Sequence, residues 1–283
     1  MGSAQNAVGA ARYLETRDSA EFWLAGENMK ASVSVVVYRE SPEVLSCLLE
    51  CLAGSHRVAE VVVADNSETA ELRRTVESFS SMRYLWFGKN LGFGAGHNRA
   101  FSVCSSKAPL HLVLNPDVRF DAADFDGWID WQAAQNDIVL STPQVLNADG
   151  TIQFVCRKIP TPWSMLLRRL NGFGMTERFI EKDELGRIDT NEIREVPFCH
   201  GCCMLFQSRV FRELGGFDER FFLYMEDADI FLRAKAFGKT VQNPSFSVVH
   251  EYRKGSASSL KLLGLHLHSA WHFFRKHGIV FRS

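Results

Sequence analysis

From Ala31 onward the chain alternates short runs rich in β-branched residues with longer segments whose apolar residues recur at helical spacing. This is the pattern of a parallel sheet covered by helices, because each parallel strand must be reached by a crossover that buries one face on the sheet. Residues 33–37 read as the first strand. A helix over 42–53, with Val44, Leu45, Leu48, Leu49 and Leu52 on one side, returns the chain to a second strand over 60–64. A third strand over 82–87, a Gly-rich turn at 92–96, a helix through Cys104 and a fourth strand over 110–114 follow. The second strand ends at Asp65-Asn66-Ser67 and the fourth at Asn115-Pro116-Asp117. The carboxyl ends of the strands are therefore expected on one edge, with Asp65 and Asp117 in one cleft, where open α/β sheets hold their ligands.

The pattern continues with a helix over 122–135, a short strand over 138–141 and a hairpin turning at Asn147-Ala148-Asp149-Gly150. The charged stretch 171–195 reads as a flexible loop or lid, and 199–206 as a buried strand. Ser208 is expected to cap a short helix that Gly215-Gly216 stops. A helix over 227–237, a strand over 239–249 ending at His250 and an amphipathic helix over 258–276 complete the order. Residues 1–30 read as an N-terminal extension.

Charge excludes one class of partner. The chain has 32 Lys and Arg against 33 Asp and Glu, a formal net charge of −1, which offers no general field for nucleic acid. No run of about 18 apolar residues and no secretory signal pattern is present, so the protein is expected in the cytoplasm, soluble or peripheral to a membrane. Seven cysteines, an odd number, fit a disulfide framework poorly and are expected to be reduced. The cluster Cys199-His200-Gly201-Cys202-Cys203 lacks the second pair that a zinc finger or ribbon needs and reads as buried thiols.

Several positions carry chemistry. In Leu112-Val113-Leu114-Asn115-Pro116-Asp117 the proline ends ladder pairing and sets a carboxylate at the strand end, where it can present oxygen to Mg²⁺ or Mn²⁺. Gly92-Phe93-Gly94-Ala95-Gly96-His97-Asn98 has its third glycine one position early for a dinucleotide fingerprint and follows the third strand rather than the first. Its glycines instead let backbone approach a ligand closely. Glu226, Asp227 and Asp229 open a helix whose terminus favours negative charge, and Asp229 with Arg233 is expected as a surface pair. Asp227 can act as a general base if it faces the cleft.

Taken in order, Asp65-Asn66-Ser67, Asn90-Leu91-Gly92 through Asn98, Asn115-Pro116-Asp117, Gly215-Gly216-Phe217-Asp218-Glu219-Arg220-Phe221-Phe222 through Glu226-Asp227-Ala228-Asp229, and His250 resemble the family 2 inverting glycosyltransferases of GT-A fold, most of all their bacterial rhamnosyltransferase branch. The resemblance covers residues 31–277. It implies a Rossmann-like, mostly parallel sheet flanked by helices, with a nucleotide-binding half over 31–117 and an acceptor and catalytic half over 118–283. By the same resemblance Asp65 holds the base or ribose, and Tyr38, Arg39, Glu40, Asn66, Asn90, Gly92, Asn98 and Asn115 lie near the nucleotide. Asp117 and His250 hold Mn²⁺ or Mg²⁺, Asp227 is the base, Glu226 supports it, and Arg157 and Gly201 border the acceptor. Two positions depart from the family pattern: Asn115 replaces the first acid of its D-x-D motif, and Arg39 replaces an Asn.

The implied reaction is a single inverting displacement. An acceptor hydroxyl, deprotonated by Asp227, attacks the anomeric carbon of a nucleotide-diphosphate sugar. The resemblance points to dTDP-rhamnose as donor and a lipid-linked or polymeric bacterial surface glycan as acceptor. A UDP-galactofuranose or other UDP-hexose donor, or a silent nucleotide-sugar-binding scaffold, are the alternatives. The last helix, with Leu267, Trp271, Phe273, Arg275 and Lys276, is read either as a membrane-interface element at the inner face of the cytoplasmic membrane or as a cover for the core.

Overall fold

The computed structural model describes residues 30–104, 107–170, 192–251 and 260–278. The extension expected over 1–30 and the lid expected over 171–195 lie outside the described residues, apart from Lys30 and 192–195. In chain order the elements begin β1 (Ala31–Val37), α1 (Pro42–Gly54), β2 (Val58–Asp65), α2 (Arg73–Glu77), β3 (Met82–Trp86), α3 (Phe93–Val103) and β4 (Leu110–Leu114). They continue with β5 (Val118–Arg119), α4 (Ala122–Ala133), β6 (Ile138–Leu146), β7 (Cys156–Arg157), α5 (Pro162–Leu170), β8 (Arg194–Glu195) and β9 (Phe198–Cys199). The last are β10 (Cys203–Gln207), α6 (Ser208–Glu213), α7 (Glu226–Ala234), β11 (Lys239–His250) and α8 (Leu260–His277).

The main sheet runs β3-β2-β1-β4-β10-β6-β11-β5, with β8 also on β11, and β7 with β9 forms a small separate sheet. Its first four strands are parallel, which places the ends of β2 and β4 on one edge: Asp65 pairs in register with Val37, and Leu114 with Val35. β10 then runs antiparallel to both β4 and β6, while β6 and β11 are again parallel. Val33, Val35, Leu112 and Leu114 are fully buried, as strands covered on both faces require. α1 shows how local sequence supports this. Ser41 accepts a hydrogen bond from Val44 N–H at 3.3 Å, Pro42 opens the helix, and Val44, Leu45, Leu48, Leu49 and Leu52 are its buried side.

Four expectations need correction. The strand expected over 199–206 is broken in two by a turn at 200–202, because Gly201 and its neighbours leave the ladder before Cys203 joins β4. Ser208 does not cap α6: Gln207 stands at the cap without a side-chain bond, and the Ser208 hydroxyl is buried without a partner. Cys156 and Cys199 are joined by a disulfide, not reduced, since cross-strand pairing sets them face to face. Asp229 and Arg233 do pair at 2.8 Å, but Asp229 is fully buried rather than at the surface.

Candidate active site

On the sheet edge beside β2, Asp65 is fully buried. Its Oδ1 accepts from Ser67 N–H at 2.7 Å and its Oδ2 from the Tyr84 hydroxyl at 2.5 Å. Burial, reinforced by that bond to Asp65, raises the Tyr84 pKa, so the phenol stays a proton donor. A pocket of about 280 Å³ opens here, with Arg39, Glu40, Asp65 and Ser67 in its wall. Arg39, in the left-handed region at φ 52°, donates through Nε and Nη2 to Glu68 at 3.0 and 2.8 Å, and Tyr38 donates to the same carboxylate at 3.3 Å. The bond from Arg39 is the main reason the exposed Glu68 is lowered to about 2. Glu40 accepts from Ser41 N–H at 2.9 Å.

The asparagines divide. The Asn66 amide accepts from Leu91 N–H at 3.3 Å and donates to Gly92 O at 3.0 Å, and Asn90 accepts from Gly92 N–H at 2.8 Å. Asn98 exchanges two 2.8 Å hydrogen bonds with the Phe217 backbone. Both the Asn66 and the Asn98 amide are engaged by backbone, and neither residue lines the pocket beside Asp65. Gly92 sits at φ 92°, and a Cβ there would meet the Phe222 carbonyl oxygen. Only glycine allows that approach, which lets Phe93 N–H donate to Phe222 O at 3.1 Å.

Beyond β4, Asn115 N–H donates to Cys202 O at 2.9 Å and the chain turns through Pro116. Asp117 Oδ1 is buried without a hydrogen-bond partner, 3.3 Å from His250 Nε2. His250 Nδ1 lies 2.8 Å from Gln153 Oε1, while Gln153 Nε2 donates to Asn147. His250 Nε2 thus faces the carboxylate, and in the tautomer with the proton on Nδ1 it offers a lone pair there. A carboxylate oxygen and an imidazole lone pair that face each other fit a divalent cation. Two protein ligands leave most of its coordination to donor phosphates and water, in keeping with a transient Mg²⁺ or Mn²⁺ site. Among the described residues no group of three or more His, Cys, Asp and Glu forms a closed metal cage.

The start of α7 carries the remaining acids. Tyr224 and Met225 are both left-handed, at φ 72° and 68°, and their reversal brings Glu226 and Asp227 into the first turn. Glu226 is 6% exposed and its Oε2 has no partner. Burial, then the Asp227 charge, pushes its pKa up to about 8. Burial also raises Asp227, against the hydrogen bond from Ala228 N–H at 2.8 Å, the Arg157 charge and a smaller contribution of the Gly201 backbone. Arg157 and Gly201 are thus brought to Asp227. Cys202 links the two acidic positions: burial, followed by the charges of Asp117 and Asp227, pushes its thiol up to about 12.

Behind these acids lies a group that local sequence did not reveal. Asp229 Oδ1 meets His277 Nε2 at 2.7 Å and Lys276 Nζ at 2.6 Å, and Arg233 holds Oδ2. Lys276 also reaches Asp218 at 2.7 Å, so Lys276 and His277 at the basic end of α8 are bound to protein, and Phe273 is buried. Leu267, Trp271 and Arg275 remain exposed on that helix. Among the described residues no helix is long and apolar enough to cross a membrane.

Comparison with known proteins gives the family of the chain. Residues 32–215 match the family described as Glycosyl transferase family 2. The chain belongs to that family. It is a glycosyltransferase, and relatives share its sequence well past the matched stretch. It is 28% identical over 234 residues to the N-acetylglucosaminyl-diphospho-decaprenol L-rhamnosyltransferase of Mycobacterium tuberculosis, covering 77% of this chain and 75% of that protein. It is 24% identical over 257 residues to the rhamnosyltransferase WbbL of Escherichia coli, covering 87% and 93%. In fold it resembles the crystal structure of GalNAc-T7 with UDP, GalNAc and Mn²⁺, at a TM-score of 0.62 and 15% identity, over 80% of this chain and 44% of that longer one. The mixed α/β architecture is that of the GT-A glycosyltransferases.

Proposed function

We propose that this glycosyltransferase moves L-rhamnose from dTDP-rhamnose, with inversion, to a hydroxyl of a lipid-linked or polymeric cell-surface glycan, with Asp227 as its base. The observation that carries the base assignment is the contrast inside the acidic pair. Glu226, with a pKa of about 8 and an unpartnered oxygen, holds its proton at neutral pH. The negative charge then rests on Asp227, where the Ala228 and Gly201 amides and Arg157 favour it. An ionised carboxylate beside a neutral one can take the proton of an attacking hydroxyl without like-charge repulsion.

The donor side is the pocket at Asp65. Its buried carboxylate, fixed by Ser67 and Tyr84, is set to receive the ribose or base, and the Arg39–Glu68 pair stands at the mouth. Asp117 and His250 would hold Mn²⁺ or Mg²⁺, which when bound neutralises the leaving diphosphate. The names of the two rhamnosyltransferase relatives support rhamnose as the sugar, and that of the Mycobacterium tuberculosis protein supports its L form and a prenyl-diphosphate-linked saccharide as the acceptor class.

The test couples binding to turnover. Thermal shift with dTDP-rhamnose, UDP-galactose, UDP-galactofuranose and a GDP-sugar, each with Mn²⁺ or chelator, identifies the donor, because a ligand at a hundredfold excess over Kd adds about 2.7 kcal/mol of stability. Asp227→Asn is expected to keep that shift and lose about 10³-fold in kcat, and Asp117→Ala to lose the metal-dependent part of the shift. Parental turnover in Asp227→Asn would rule out the base assignment.

A further inference from the structure

β7 and β9 meet in two residue pairs, Cys156 with Cys199 and Arg157 with Phe198, and the disulfide spans the first. Strands this short bury too little surface and make too few ladder bonds to hold their register unaided, so the covalent bond fixes it. Each side of the bond delivers a group to the same carboxylate. Arg157 follows Cys156 directly, and its charge acts on Asp227. Gly201 lies two residues after Cys199, and its backbone favours the charged form of Asp227. β9 packs on α7 itself, and His200 N–H donates to Val155 O at 3.1 Å, which closes the turn against the strand before it.

We propose that the Cys156–Cys199 disulfide is a positioning element for the base, and that its reduction lowers sugar transfer without weakening donor binding. The proposal rests on the reading of Asp227 as the base. Reduction by a dithiol transfers two electrons and two protons to the cysteines: the S–S bond breaks, two protein thiols form, and the reductant leaves as a disulfide. Re-formation needs a small disulfide oxidant, which is itself reduced to two thiols. Cys202 does not open the bond from within, since at neutral pH its buried sulfur remains a thiol, and the thiolate is the attacking species. With the bond open, β7 and β9 are free to separate, and Arg157 and the Gly201 amide lose their fixed places beside the carboxylate.

The experiment uses the whole chain with Cys47, Cys51 and Cys104 replaced by serine, so that the response comes from the buried cysteines. The protein is poised at a series of potentials with dithiothreitol, and the disulfide is quantified by alkylation and peptide mass. Transfer is followed from dTDP-rhamnose to a prenyl-diphospho-N-acetylglucosamine. The expected result is a fall in kcat of at least five-fold that follows the opening of the bond at one midpoint, a donor KM within two-fold, and recovery on re-oxidation. Cys156→Ser in this background should give the low kcat at every potential. Absence of the disulfide from the oxidised protein, an unchanged kcat on opening, or loss of far-ultraviolet circular dichroism on opening would each overturn the proposal. Asp227→Asn in the oxidised protein tests the underlying reading separately, since parental transfer there removes the base whatever the disulfide does.

Discussion

Asp65, at the end of β2, accepts a hydrogen bond on each oxygen, whereas Glu226, at the start of α7, keeps a buried oxygen without a partner. The regions around them differ in the same way. The β3-β2-β1-β4 part of the sheet is a regular parallel ladder in which buried His111 has a hydroxyl beside each ring nitrogen, Ser32 at 2.9 Å and Ser34 at 3.0 Å, and only His97, 2.7 Å from Ser34, keeps a buried nitrogen without a partner. The region from β5 onward has two-residue strands, a disulfide, two successive left-handed residues and unpartnered oxygens on Asp117 and Glu226. A satisfied carboxylate makes a rigid seat that need not change during a reaction. Glu226, buried with an unpartnered oxygen beside Asp227, favours its protonated form. The difference separates holding a ligand from reacting with it.

That contrast can be broken by experiment. Its largest expected consequence lies in Asp229, which anchors α7 by ion pairs to Arg233 and Lys276 and by a 2.7 Å contact with His277 Nε2. Asp229→Asn leaves these cations without their buried partner and should cost about 3 kcal/mol, read as a lower midpoint in urea unfolding. A midpoint equal to the parent's would show that α7 is held in place by other contacts.

Next in size is the pH dependence of Glu226. Its folded pKa of about 8 lies above the ordinary 4.5, so the folded state binds the extra proton between these values. The stability this contributes is complete below about pH 4.5 and is lost as pH rises toward 8, at up to about 1 kcal/mol per pH unit. Glu226→Gln should remove the slope and be more stable than the parent at pH 8, with the two converging near pH 4. Parallel stability curves would mean that Glu226 is charged in the folded enzyme and the contrast with Asp65 is false.

The smallest effect sharpens the other side. Tyr84→Phe removes one of the two donors to Asp65 and should raise the donor KM about ten-fold, equal to about 1.4 kcal/mol, with kcat unchanged. A fall in kcat at constant KM would place Tyr84 in the chemistry rather than in the seat.

Legibility in the sequence followed the same boundary. The strands of the parallel part and their polar ends could be read because each is a continuous apolar run with a turn residue after it, as at Val35 to Val37 and Leu112 to Leu114. The 199–206 stretch misled because Gly201 interrupts an apolar run without altering its composition. The disulfide was hidden because its cysteines are 43 residues apart and the pairing that joins them comprises two residues per strand. Asp229 read as half of a helical surface pair because spacing shows Arg233 and cannot show cations from α8. Asn66 and Asn98 have the residue type for ligand contact, but backbone groups claim their amides, and only three-dimensional placement reveals that.

The clasp between α7 and α8 also sets an order of events during synthesis. His277 follows Asp229 by 48 residues. At roughly 5–20 residues per second, a ribosome needs several seconds to cover that interval. Throughout it the parallel ladder already has all its strands, while the buried Asp229 behind Glu226 and Asp227 still lacks its partners Lys276 and His277. The parallel part around Asp65 can therefore form on the nascent chain well before Asp229 is clasped, and the last helix completes the surroundings of Glu226 and Asp227.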